Sequence, residues 1–192
     1  LMALSMHRDA IMALKNGNLS LANDVVQRDD EIDRLYFFVV RQLKMAVGNR
    51  FMTEKIGLSS SRDCLGYRLV AKSIERIADH AARIAQKIPI IERTNIDDII
   101  VLISEMSNVS NYICQRAMEA LNELNTKKAN QAITKIAEVA KLEKETIERI
   151  LQARLNTKTT IGLRLILESI QRTAEYGADI AEIAINLTRK QP

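Results

Sequence analysis

Residues 66–85 read GYRLVAKSIERIADHAARIA, and residues 162–181 read GLRLILESIQRTAEYGADIA. Set against each other at a shift of 96, the two stretches agree at ten of twenty positions, among them Gly66/Gly162, Arg68/Arg164, Ser73/Ser169, Arg76/Arg172 and Ile84/Ile180. Shared helical composition does not supply that many matches. Within the first stretch and just beyond it, Leu69, Ile74, Ile77, Ala81, Ile84 and Ile88 recur at three- and four-residue steps and mark one face of a helix. At a shift of 107 the preceding part of the chain also pairs with itself, through Ala13/Ala120, Leu14/Leu121, Asn18/Asn125, Ala22/Ala129, Asn23/Asn130 and Leu35/Leu142. The chain is therefore a duplicated unit. Its two copies are expected over 1–91 and 92–192, meeting near Pro89–Asn95. The two shifts differ by 11 residues, about three helical turns, and Arg50–Ser60 is the predicted surplus of the first copy.

Periodicity and stop signals predict six helices, over 2–16, 19–48, 60–88, 96–124, 127–156 and 159–189. Gly17-Asn18 ends the first and Pro89 the third; Ser60 with Asp63 has the form of a capping box, and Asn95 is positioned to cap the fourth. The fold class expected is all-α: a tandem repeat of two antiparallel three-helix bundles, elongated because helices of this length run to ~44 Å. Composition agrees. The 192 residues hold only six glycines and two prolines, 4% aromatics and no Trp. Such a chain lacks the turn residues and the aromatic side chains of sheet proteins, and all-β and dinucleotide-binding folds are set aside.

Composition also narrows function. The net charge of +4 is spread among interspersed signs, so no block marks a nucleic-acid or membrane surface. Cys64 and Cys114 stand apart, which argues against a zinc site or disulfide framework and fits a reducing cytosol. No apolar run reaches the ~20 residues of a membrane span. The glycines form no phosphate-binding loop, and neither His7 nor His80 follows a Glu at the spacing of di-iron bundles. His80 is expected at the surface.

What remains is acidic. Asp29 and Asp33 lie in Arg28-Asp-Asp-Glu-Ile-Asp-Arg34, and Glu75 and Asp79 in Glu75-Arg-Ile-Ala-Asp79. Each pair is four residues apart, hence on one helix face, where like charges cost a few tenths of a kcal/mol unless a cation neutralises them. Two such pairs on neighbouring helices would make an oxygen-only pocket suited to Mg, Ca, Mn or iron. On a helical wheel Asp29 falls within the apolar stripe of Val25 and Tyr36, with Asp33 at its edge, whereas Glu75 and Asp79 lie away from theirs. The competing reading of these acids is a solvated, salt-bridged face with Arg28, Arg34 and Arg76 at hand.

The segment from Arg28 to Leu35, followed by Ile74-Glu-Arg-Ile-Ala-Asp-His-Ala81, resembles the PhoU family of phosphate-uptake regulators, its archaeal PhoU-like members in particular. The resemblance implies tandem three-helix bundles whose acidic motifs bind metal, iron in some members. It carries Asp29, Asp33, Glu75 and Asp79 over as metal ligands, with a divalent cation or iron as the cofactor. The second copy departs from the pattern: Ile136, Ala140, Gln171 and Glu175 stand at the matching places, so one site is expected, in the first copy only. An insertion that brought Glu138 or Glu143 into register would alter this. The resemblance further implies a non-enzymatic, cytoplasmic regulator, a homo-oligomer acting by contact with a phosphate-transporter ATPase subunit, a signalling kinase or both. Two other classes are kept: a purely structural or oligomerisation bundle, and a metal-dependent phosphoesterase, for which the sequence offers no base or phosphate clamp. The first helix is about half the length of its repeat partner, so a dozen or more upstream helical residues are expected. The family resemblance adds a DNA-binding domain of the AbrB type ahead of them.

Overall fold

A computed structural model describes residues 2–188. Eight α-helices follow one another: α1 Met2–Asn16, α2 Leu19–Val47, α3 Arg50–Lys55, α4 Asp63–Lys87, α5 Asp97–Glu123, α6 Thr126–Thr134, α7 Ile136–Gln152 and α8 Thr157–Thr188. A 3₁₀ turn, Ile88–Ile90, follows α4, and there is no strand among the described residues. α1, α2 and α4 form one three-helix bundle; α5, the α6–α7 pair and α8 form the other. The bundles join chiefly through α4 against α8, with α1 touching α5. Buried Leu4, Met6, Ile77, Ile84, Ile103, Ile113, Ile166 and Ile170 belong to one apolar core that runs through both.

The duplication is visible in the contacts. A Cβ on Gly66 would sit 3.2 Å from Leu187, and a Cβ on Gly162 would sit 2.6 Å from Ile91. Gly162 and Leu187 are Gly66 and Ile91 shifted by 96, so the same contact is made twice with the roles exchanged. His80 packs on Tyr176, ring centroids 5.8 Å apart, and these two are also one repeat position. Equivalent residues that touch lie on a two-fold axis. α4 and α8 therefore cross antiparallel about a pseudo-two-fold, with a glycine letting the partner helix approach near each end. The helix starts repeat as well: Asn18 Oδ1 accepts from Leu21 N at 3.0 Å to cap α2, and Asn125 Oδ1 accepts from Lys128 N at 3.1 Å to cap α6.

Four sequence expectations need correction. The surplus of the first copy is not loop alone but carries α3, capped by Asn49 and followed by Gly57 at φ +79°. The fifth helix is broken at Lys135, where hydrogen bonds change to the tighter i→i−3 form: Lys135 N donates to Ala132 O and Glu138 N to Lys135 O. No Gly or Pro marks that break, so periodicity carried straight through it. Asn95 does not cap α5. It adopts φ +59°, and Ile96 precedes the helix without a side-chain cap. His80 is buried, because α4 is covered by α8 as well as by α1 and α2. The capping box of α4 is half formed: Asp63 Oδ2 accepts from Ser60 N, while Ser60 Oγ accepts from Arg62 N. The predicted end of the last helix at 189 lies outside the described residues.

α1 has 15 residues where α5 has 27. Between α2 and α4, past the start of α1, lies an apolar cavity of about 620 Å³ lined by Met2, Leu35, Val39, Gln42, Val70 and Ile74. The corresponding place in the second bundle is taken by the first turns of α5, where Asp98 meets Arg149, the repeat partner of Gln42, at 4.0 Å.

Candidate metal centre

Helices α2 and α4 pack side by side, and their facing residues fix the direction. Tyr36 lies under Arg68 and Lys72, while Asp33 meets Glu75 and Asp79. Numbers that fall along α2 rise along α4, so the helices are antiparallel. Each carries its two carboxylates one turn apart, and the packing aims the two pairs at each other. Asp33, Glu75 and Asp79 each offer an oxygen, and these oxygens lie within 4.8 Å of one another. This is the one triad of its kind among the described residues. Asp29 stands beside it, outside the triad but close enough to feel the charge of Asp79, Asp33 and Glu75.

The electrostatics of this arrangement are unfavourable without a cation. Burial, then repulsion from Asp79, Asp33 and Glu75, pushes the Asp29 carboxyl up to about 6. Burial and the neighbouring Glu75 carboxylate likewise raise Asp79, against the opposing pull of Lys72 and Arg83. Glu75 is only 8% exposed, and its Oε2 is buried without a partner, as is Asp29 Oδ1. Its other oxygen, Oε1, accepts from Lys72 Nζ. Buried carboxylate oxygens with no donor are costly, and a hard cation ligated by oxygen would satisfy both. The residues present therefore fit such an ion. Glu75 and Asp79, which the helical wheel set off the apolar stripe, face α2 because α4 is packed on more than one side.

Among the described residues the second bundle holds no such triad. Glu143 lies 3.1 Å from Arg164, and this pair stands where Tyr36 and Arg68 stand in the first bundle, so the 107 register survives the break at Lys135. No insertion brings Glu138 or Glu143 to the place of the first acidic motif. Ile136 and Ala140 occupy it, and Glu175 is paired with Arg172. Sequence reasoning missed two features near the axis. His80, with its Nδ1 buried and unpartnered, is pushed down to about 4 by burial and by Arg83, Arg172 and Arg76. Tyr176 is flanked by Arg76 and Arg172, and Arg172 donates to its hydroxyl at 2.9 Å. The one signal in the sequence was that His80 and Tyr176 share a repeat position.

The model of the PhoU domain matches residues 1–88 and 103–184. The fold is similar to that of the phosphate transport system regulatory protein PhoU from Streptococcus pneumoniae, at a TM-score of 0.85 and 16% identity over 97% of this chain and 87% of that one. It is equally similar to PhoU from Pseudomonas aeruginosa, at a TM-score of 0.85 and 19% identity over 96% of this chain and 89% of that one. No curated protein matches the sequence.

Proposed function

Because this chain belongs to the PhoU family, we propose that it regulates phosphate transport and phosphate signalling by protein contact and carries a metal ion in its first repeat. The repeats, 1–91 and 92–192, are its working units, and the cytoplasm is its compartment. The partners in this reading are the ATPase subunit of a phosphate transporter and a signalling kinase. The observation that carries the metal is the buried, unpartnered Oε2 of Glu75 beside Asp33, Asp79 and Asp29. Bound there, a divalent cation or iron would supply positive charge between α2 and α4; the chain's part is to hold four carboxylates at its disposal. Among the described residues no helix is long and apolar enough to cross a membrane.

Metal analysis of protein purified without chelator or affinity-tag metal is the deciding measurement. About one ion per chain is expected, lost in Glu75→Gln. Metal-free protein that takes up no Mg, Mn, Ca or iron would leave a purely structural bundle as the reading. We read the protein as non-enzymatic, and turnover of a phosphomonoester that disappears in Asp29→Ala would reverse that.

A further inference from the structure

α2 carries a second constellation, on a face the metal reading leaves unused. Arg34, Phe37, Arg41 and Lys44 follow at steps of three, four and three, one stripe along the helix. The stripe runs ~15 Å at 1.5 Å per residue. With Val40 and Arg68 it lines a concave surface of about 620 Å³ that contains no carboxylate. Among the described residues Arg34, Arg41 and Lys44 have no ion-pair partner, and Arg68 is engaged by the Tyr36 ring, 5.0 Å from its centroid. Phe37 is 60% exposed amid these cations. Other cations do have acidic partners: Arg116 meets Glu119, Lys128 meets Glu123 and Lys135 meets Glu138.

The second repeat shows that this is not a consequence of the fold. At a shift of 107 the same stripe reads Lys141, Lys144, Glu148 and Leu151, so the aromatic is gone and an acid interrupts the cations.

We infer that the Arg34–Phe37–Arg41–Lys44 face of α2 docks an acidic segment of a partner protein, Phe37 entering an apolar pocket and the cations ringing it. This rests on the regulatory reading above and gives it a contact surface. An aromatic anchor with arginines around it is the usual composition of a protein hot spot. A single-stranded nucleic acid would need successive free aromatic faces for stacking, and the stripe offers Phe37 alone, because Tyr36 is already covered by Arg68 and Lys72. An anionic bilayer would need a continuous row of apolar side chains; exposed Phe38 and Met45 flank this stripe, but the cations at 34, 41 and 44 interrupt the row.

Binding of the full chain to the purified ATPase subunit of the organism's phosphate transporter, by interferometry at low and high salt, tests the assignment. Arg34→Glu with Arg41→Glu should weaken binding by about a hundredfold at low salt, and Phe37→Ala by about tenfold. Lys141→Glu with Lys144→Glu, the matched change in the second repeat, should stay within about threefold. Unchanged melting of each variant shows that the fold is kept. Wild-type binding that survives the Arg34/Arg41 reversal overturns the surface and leaves the regulatory reading standing. Absence of wild-type binding overturns both. Binding to phosphatidylglycerol vesicles instead, lost on the same reversal, assigns the face to a membrane and overturns the protein partner.

Discussion

Tyr36 and Glu143 hold the same place in the two repeats, each facing the arginine that the duplication preserved, Arg68 and Arg164. In the first repeat that arginine stacks on a ring, and one turn further on four carboxylates gather with two oxygens unpartnered. In the second the arginine lies 3.1 Å from Glu143 and offsets part of the burial that raises its carboxyl, and Ile136 and Ala140 fill the space of Asp29 and Asp33. The residues both copies retain are architectural: Gly66/Gly162 at the helix crossing and Asn18/Asn125 at the helix starts. Those the first copy alone has are charged, buried at a cost, and useful only with something bound. One duplicated frame thus holds two electrostatic solutions, a cluster of carboxylates open to a cation and a single buried acid set against an arginine.

The largest effect that distinguishes the halves is stabilisation by metal. An ion present at a thousand times its Kd stabilises the native state by about 4 kcal/mol. Thermal melts of chelator-treated protein with and without manganese or iron should show that increment in wild type. Glu75→Gln should lose it, and Glu175→Gln, at the repeat partner of Asp79, should keep it. Without metal, the raised carboxyl of Asp29 works against the fold near neutral pH. Asp29→Asn should stabilise the metal-free protein by about 1 kcal/mol once solvent screening is allowed for. Equal metal stabilisation in Glu75→Gln and wild type would erase the asymmetry.

A comparable effect comes from His7, whose repeat partner is Cys114. His7 is fully buried between Ser107 Oγ, 3.0 Å from Nε2, and Thr173 Oγ1, 3.5 Å from Nδ1. Burial, then Arg8 and His80, hold it near 4, against 6.5 when exposed. Between those values the unfolded chain binds the proton and the native one does not. Native stability is therefore full above pH 6.5 and falls toward pH 4, by about 3 kcal/mol over the window. Asp29, raised to about 6, opposes this in part, because its native form holds a proton that the unfolded chain has released. Urea unfolding from pH 4 to 7 should show a slope to which His7 and the likewise depressed His80 both contribute, and His7→Gln should remove the His7 share. Cys114, pushed up to about 12 by burial, contributes nothing there. A His7→Gln slope equal to wild type would move the acid sensitivity elsewhere.

Lys72 offers a smaller test. Its ammonium donates to Glu75 Oε1 and lies 5.1 Å from the Tyr36 centroid, so a metal ion on the free Oε2 shares the carboxylate with this positive charge. Lys72→Met should tighten metal binding about tenfold, the equivalent of losing one charge-assisted hydrogen bond of ~1.4 kcal/mol. Arg68→Met removes the same charge from the same ring without touching the carboxylates and should change affinity about twofold at most. Equal gains by calorimetry would mean a general field effect rather than direct competition. In the second repeat position 72 becomes Glu168, so the competing lysine was lost along with the ligands.

Much of this was written in the chain. The 96 and 107 shifts gave the duplication and the antiparallel bundles, because glycine contacts and asparagine caps leave identities that outlast surface change. The surplus at Arg50–Ser60 was legible as length, but the helix within it, six residues long, was too short for a period. The four acids were legible as spacing. Their depth was not: a helical wheel assumes one buried face, and α4 has neighbours on several sides, which is why Glu75 and His80 were placed too near the surface. The break at Lys135 left no trace, since a change from i→i−4 to i→i−3 bonding needs no particular residue.

The smallest effect concerns the turn that closes α1 and α5. Gly17 N donates to Leu14 O at 3.4 Å and Asn18 N to Ala13 O at 2.9 Å; Leu124 N donates to Leu121 O at 3.4 Å and Asn125 N to Ala120 O at 2.9 Å. The same helix stop is thus built twice, with its left-handed residue at φ +65° in Gly17 and φ +49° in Leu124. Glycine adopts that conformation freely, whereas a side chain crowds its own carbonyl at about 1 kcal/mol. Leu124 is half exposed and has little packing to set against this. Leu124→Gly should raise stability by about 0.5–1 kcal/mol, less than the full strain because glycine also loosens the unfolded chain. Gly17→Ala should lower it by about 1 kcal/mol, with the Arg93 side chain 3.2 Å from the new methyl able to shift. Urea midpoints of the two variants decide the matter: opposite signs mean that the two stops are one device carrying different residues, whereas destabilisation by both would give Leu124 a packing role that its exposure does not reveal.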